Sequence, residues 1–333
     1  MIFRRDPRWI GSDDAYSIAL SADRILWLFG DTFIAGAGQE RSGARFIRNS
    51  IAIQTGTNPS TAAIDFYWRH ANDLPDSFFT SEAGVWLWPL HGLMLGDELL
   101  LFFMMVRSTR PDAGEMEAWR EEGAVGFFDV FGWRALRVAN PSDPPEKWAI
   151  TEAGESADRL RTILGAGALA EDEHIHLYGW RDMPGLRQAY LTRATREQPL
   201  DLNRLEWWDG EGWTPNQEGA RVLFDQAATE FTVHRRGSRL CLIQLVGLED
   251  ARFAIRWADR PEGPWTDPEP FFAPEEAGRE GVILYAGKAH PELSGADLVL
   301  TYASNGTDID ITLGDDRIYY PRFVRMSFEG ESA

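Results

Sequence analysis

The chain has 333 residues, 44% of them hydrophobic and 12% aromatic, which is enough apolar material for a large core and too much for disorder. Its 52 acidic against 33 basic residues leave a net charge of −19, which repels phosphate backbones and anionic lipid and argues against nucleic-acid and membrane partners. No stretch reaches the roughly 18 apolar residues of a membrane span. The first residues, Met1-Ile2-Phe3-Arg4-Arg5-Asp6, carry no apolar signal core. The expectation is therefore a cytoplasmic chain, or a periplasmic or secreted one if the start is truncated.

Along the chain, short apolar or β-branched runs recur at 17–20, 25–29, 49–54, 99–106, 175–178, 189–192, 231–234, 240–246, 254–257, 297–302 and 322–327. Turn residues separate them, as in Ser21-Ala22-Asp23 and Arg236-Gly237-Ser238, the pattern of hairpins in series. Helical periodicity is weak and confined to 115–122 and 157–161, both read as insertions. The single cysteine, Cys241, lies in the apolar run Leu240-Cys241-Leu242-Ile243, so it reads as a buried space-filler and forms no intrachain disulfide.

The class is therefore all-β. No linker composition divides the chain, and a sandwich of this length would normally be two domains. A single β-propeller domain over 1–333, about five blades of four strands, absorbs the length as one unit. Tryptophans recur beside turns, in Lys147-Trp148, Glu206-Trp207-Trp208, Gly212-Trp213 and Gly263-Pro264-Trp265. Most should fill the gaps between twisted blades, and a fraction could line a sugar site.

Several strings carry a resemblance. Gly11-Ser12-Asp13-Asp14-Ala15-Tyr16-Ser17 is followed by Leu26-Trp27-Leu28-Phe29-Gly30-Asp31-Thr32-Phe33, then by Phe46-Ile47-Arg48-Asn49-Ser50 and Trp86-Leu87-Trp88-Pro89. Late in the chain come Gly263-Pro264-Trp265 and Tyr285-Ala286-Gly287-Lys288-Ala289-His290-Pro291. Together they resemble the bacterial propellers of the "domain of unknown function 4185" type, a group with glycoside hydrolases that include endo-acting enzymes on D-arabinan. The plan is also similar to the arabinanase and xylosidase propellers of glycoside hydrolase family 43. The resemblance implies an oligosaccharide or polysaccharide partner and favours a furanoside such as an arabinan. One departure stands out: the group reads Gly-x-Asp-Gly where this chain has Asp14, so Asp13 is the matching aspartate and Asp14 an extra charge.

Glycosidic cleavage needs two carboxyl groups, one to protonate the leaving oxygen and one to activate water or attack. Asp13 is expected to open one strand and Asp31 to close the next, so that a hairpin brings them together at the axial opening. Like-charge repulsion would then raise one of their pKa values. Glu230, before the run 231–234, is the candidate third carboxylate, and Glu82 a weaker one of the same kind. Arg48 and Asn49 are candidates to orient a carboxylate or grip sugar hydroxyls, and His290 to donate to substrate. Trp88 and Trp180 are candidate stacking platforms. Inverting hydrolysis, with carboxyls roughly 6.5–9.5 Å apart, is the expected outcome.

No zinc pattern, phosphate loop or Gly-x-Ser-x-Gly elbow is present. His174-Ile175-His176 is a weak metal hint only. No cofactor is called for, and no metal ligands are singled out, although the acidity leaves room for a structural calcium ion on the axis. Two other readings fit the same residues: a non-catalytic carbohydrate-binding propeller, or a scaffold whose acidic face binds a protein.

Overall fold

The structure is a computed structural model that describes residues 2–36, 38–196, 201–293 and 297–327. The strands form five antiparallel blades in chain order. Blade 1 holds Trp9–Ala19, Arg24–Ile34, Ser50–Thr55 and Ala63–Tyr67; blade 2 holds Trp86–Leu95, Glu98–Ser108, Phe128–Val138 and Ile150–Ser156. Blade 3 is built on Ile163–Glu171, His174–Met183, Leu186–Thr195 and Glu206–Trp208, and blade 4 on Phe231–Arg236, Arg239–Val246, Arg252–Ala258 and Glu269–Phe272. Blade 5 has Val282–Ala289, Leu298–Gly306 and Arg322–Met326. The first strand of each blade touches the first strand of the next, and that of blade 5 touches that of blade 1. This closed ring of inner strands is the propeller axis.

Apolar side chains fill the wedges between blades. Trp265, in the turn after Arg252–Ala258, lies edge-on to Tyr178 and Phe224 of blade 3, with ring centroids 6.1 and 6.2 Å away. Tyr178 and Trp265 both donate to the Pro261 carbonyl at 3.1 Å. Cys241 is fully buried, and burial pushes its thiol up to about 12. The helix Glu115–Glu122 forms where the sequence places it. Residues 157–161 do not form one: the Asp158 carboxylate caps the Leu160 and Arg161 N–H groups in a tight turn that ends with Arg161 at φ 48°.

The inner strand of blade 1 is longer than the run 17–20 suggested, and it is irregular. Its register against Arg24–Ile34 shifts between Trp9 and Ser12, between Ser12 and Asp14, and between Asp14 and Tyr16. Asp14 (φ 59°) and Ala15 (φ 123°) take backbone conformations that side-chain-bearing residues rarely adopt. In a regular strand, Asp13 and Asp14 would point to opposite faces. The bulge instead turns both carboxylates toward the axis. Asp13 therefore lies within its strand rather than opening it, and Asp31 lies within Arg24–Ile34 rather than closing it.

Candidate functional site

A cavity of about 960 Å³ opens at one end of the axis. Its lining includes Asp13, Asp14 and Asp31 from blade 1, Trp88 from blade 2, Trp180 from blade 3 and Glu230 from the start of blade 4. Gly30 makes room for two of these acids. A Cβ at residue 30 would lie 2.4 Å from Asp13 Oδ1 and 2.6 Å from Asp14 Oδ2, so only glycine fits between them.

Asp31 is 3% exposed and held on both oxygens: Arg48 Nη1 donates to Oδ2 at 3.1 Å, and Trp88 Nε1 to Oδ1 at 2.8 Å. The Arg48 guanidinium also stacks 4.0 Å over the Trp86 ring, which fixes its plane. Asp13 accepts a hydrogen bond on Oδ2 from the Tyr285 hydroxyl at 2.8 Å, while its Oδ1 has no hydrogen-bond partner. Burial, followed by the charge of Asp31, pushes the Asp13 carboxyl well above the usual range. Asp14, accepting from Tyr16 at 2.8 Å, is likewise raised by burial and then by Asp13. Glu230 is raised by burial against the opposing pull of Thr229, Lys288 and Arg187. Its Oε2 accepts from Thr229 Oγ1 at 2.6 Å.

Behind this floor lies Lys288, 1% exposed, its ammonium 4.0 Å above the Tyr16 ring and 3.4 Å from His91 Nδ1. Burial brings it down to about 7, while Glu230, Asp14 and Glu292 pull the other way. Glu292 is pushed up to about 8 by burial and accepts from Ser17.

The structure thus brings Asp13, Asp31, Glu230, Trp88 and Trp180 into one cavity, with Arg48 bonded to Asp31. Trp180 is 3% exposed; its indole donates to the Thr229 carbonyl at 2.9 Å and so braces the residue before Glu230. Two candidates stand outside the lining. Asn49 donates to the Phe79 and Leu87 carbonyls, both at 2.9 Å, and accepts from the Phe79 N–H at 2.7 Å, which makes it a buried link between blades 1 and 2. His290 is 2% exposed, bonded to Ser17 and, at 2.7 Å, to Thr301; burial brings it down to about 3. Neither side chain reaches the cavity, because its polar atoms already serve the core. Glu82 lies apart as well, paired with Arg134 at 2.9 Å in a second groove. Among the described residues, no group of three or more His, Cys, Asp and Glu side chains is placed to hold a metal ion.

Sequence reasoning noted Asp14 only as an extra charge and gave no role to Tyr16, Tyr285 or Lys288. All four lie in the Gly11–Ser17 and Tyr285–Pro291 strings, and a strand period of two would have sent Asp14 away from the axis.

The fold has solved counterparts. A Bacteroides ovatus protein provisionally described as a hydrolase superposes with a TM-score of 0.75 at 18% identity, over 97% of this chain and 87% of the other. The endo-arabinase of Bacteroides thetaiotaomicron gives a TM-score of 0.51 at 11% identity, over 96% and 95%. The GH43_1 enzyme of Xanthomonas citri complexed with xylose gives 0.51 at 15%, over 95% and 87%. At these identities the likeness is one of fold. No curated protein sequence matches the chain. The family whose profile matches, over residues 1–328, is the domain of unknown function DUF5005, and the chain belongs to that family.

Proposed function

We propose that this propeller is a glycoside hydrolase whose paired carboxylates are Asp13 and Asp31, with Glu230 as a third acid from the facing blade. The observation that carries the reading is the unequal setting of the pair. Asp31 is charge-paired with Arg48, while burial first and the charge of Asp31 second push the Asp13 carboxyl well above the usual range. A carboxyl raised by burial beside one held by a guanidinium, in a common cavity, is an arrangement suited to acid/base cleavage of a glycosidic bond.

In that reaction Asp13 gives its proton to the glycosidic oxygen as the anomeric carbon–oxygen bond breaks. Water supplies the new oxygen on the anomeric carbon, and Asp31 takes the proton that the water loses. Each product gains a hydroxyl, and no oxidant or reductant is involved. Trp88 keeps its N–H on Asp31 while its ring borders the cavity, a surface suited to the apolar face of a sugar. The hydrolase and arabinase folds described above support the reaction class, and the motif resemblance supports a furanoside as substrate.

The test is product release from a panel of arabinans, arabinogalactans, xylans and aryl glycosides by the native chain and by Asp31→Asn. Release that collapses in the variant supports the reading. Absence of release from every member, with glycan binding unchanged by the substitution, replaces it with a non-catalytic carbohydrate-binding propeller.

A further inference from the structure

The connection between the second and third strands of blade 2 does not stay on its own blade. Residues 109–127 carry the helix Glu115–Glu122 over the end of blade 1 as far as blade 5. Ala118, Trp119 and Phe127 are buried there against Phe33 of blade 1 and against Ile309 and Tyr319 near the end of the chain. The Ala124 N–H donates to the Thr307 carbonyl at 3.2 Å, and Arg120 pairs with Asp310 at 2.6 Å. This segment is a strap that crosses one blade and is fastened on the next.

Its inner side is also a wall of the cavity, through Trp119, Ala124 and Phe127. Among the described residues, blade 1 contributes Asp13, Asp14 and Asp31 to the lining. The solvent-facing rim includes Val125 of the strap at 60% exposed, Leu248 at 47%, and Arg161 and Asp182, whose side chains are 52% and 63% exposed. A polymer bound in mid-chain must enter and leave a cleft on opposite sides of the cleavage point. Here the strap walls one side of the cavity through Trp119, Ala124 and Phe127, and a volume of about 960 Å³ is that of a small-molecule pocket.

We infer that the cavity receives the end of a glycan chain, so that the enzyme releases terminal residues or short oligosaccharides instead of cutting polymers internally. The inference rests on the glycosidase reading for its products, and on the strap alone for its binding mode.

The experiment follows product sizes and viscosity together on linear arabinan. Mono- or short oligosaccharides from the first time points, with viscosity nearly unchanged, support the inference. An early fall in viscosity with fragments of random size overturns it while leaving the glycosidase reading intact. Arg120→Ala combined with Asp310→Ala loosens the exposed end of the strap, and the share of internal cleavage should then rise. An unchanged share, in a variant shown by hydrogen exchange to have a loosened strap, counts against the strap as the cause.

A second readout needs no turnover. Calorimetric binding of an arabino-oligosaccharide is compared with that of the same compound carrying bulky groups at both ends. The pocket predicts binding weaker by about tenfold or more for the blocked form. Equal binding overturns the chain-end mode even if no substrate is ever cleaved.

Discussion

Asp31 with Arg48 and Glu82 with Arg134 are the same chemical pair set in two different places. The side chains of the first pair are 5% and 10% exposed, so the two charges face each other largely out of water. The Glu82 side chain is 53% exposed, and Arg134 is shared with Glu152 and Glu155. Arg134 and Ser81 bring Glu82 down to about 2, which leaves it ionised and unable to donate a proton near neutral pH. At the cavity floor the direction is reversed, since burial raises Asp13, Asp14 and Glu230. Residue type alone does not set a carboxyl's hold on its proton; desolvation and neighbouring charges do.

The comparison can be broken most forcefully at Arg48. Arg48→Met removes this guanidinium from the buried Asp31, and unfolding in urea should show a loss of about 3–5 kcal/mol. Glycan release should fall with it. A loss below about 1 kcal/mol would mean that the floor behaves like the exposed groove.

Gly30→Ala comes next. The new Cβ would collide with Asp13 and Asp14, and the expected cost is about 1–3 kcal/mol. Because the two carboxylates must move, turnover should fall more than stability does. A variant that loses only stability would show that their placement is not critical.

The two regions should also respond to pH with opposite signs. Glu292, near the floor, is raised to about 8, so its contribution is present below about 4.5 and is lost as pH rises through 8. Glu82 is lowered to about 2, so its contribution is present above about 4.5 and is lost as pH falls through 2. Urea midpoints across pH should therefore show Glu292→Gln gaining on the native chain between pH 4.5 and 8, and Glu82→Gln losing its deficit below 4.5. The same slope in both variants would contradict the contrast. The smallest effect is that of Glu82→Gln at neutral pH, expected to be under about 1 kcal/mol with glycan release unchanged.

Much of the fold can be read from side-chain patterns. The run 240–246, apolar but for Gln244, appears as Arg239–Val246, and 231–234 appears as Phe231–Arg236. What escaped is mostly at the axis. Ile163–Glu171, written Ile-Leu-Gly-Ala-Gly-Ala-Leu-Ala-Glu, is a central strand whose small residues resemble a turn. Those residues are needed there because inner strands crowd: a Cβ at Gly165 would lie 2.3 Å from that of Phe102.

The candidate site divides in the same way. Asp13, Asp31 and Glu230 were singled out for their types and flanking strings, and they line one cavity. Asp14 could not be placed, because its direction is set by a bulge with positive φ. Asn49 and His290 carry the right polar groups, and only the three-dimensional surroundings show those groups spent on Phe79, Leu87, Ser17 and Thr301.

The central claim is the division of labour between Asp13 and Asp31, and leaving-group dependence tests it most directly. Native chain, Asp13→Asn and Asp31→Asn are compared on arabinofuranosides with a dinitrophenyl leaving group, which departs without protonation, and with an alkyl leaving group, which does not. Asp13→Asn should retain most of its rate on the first and lose about 10²–10⁴-fold on the second, whereas Asp31→Asn should lose comparably on both. Equal losses for Asp13→Asn on the two substrates, or native rates in Asp31→Asn, would contradict the assignment.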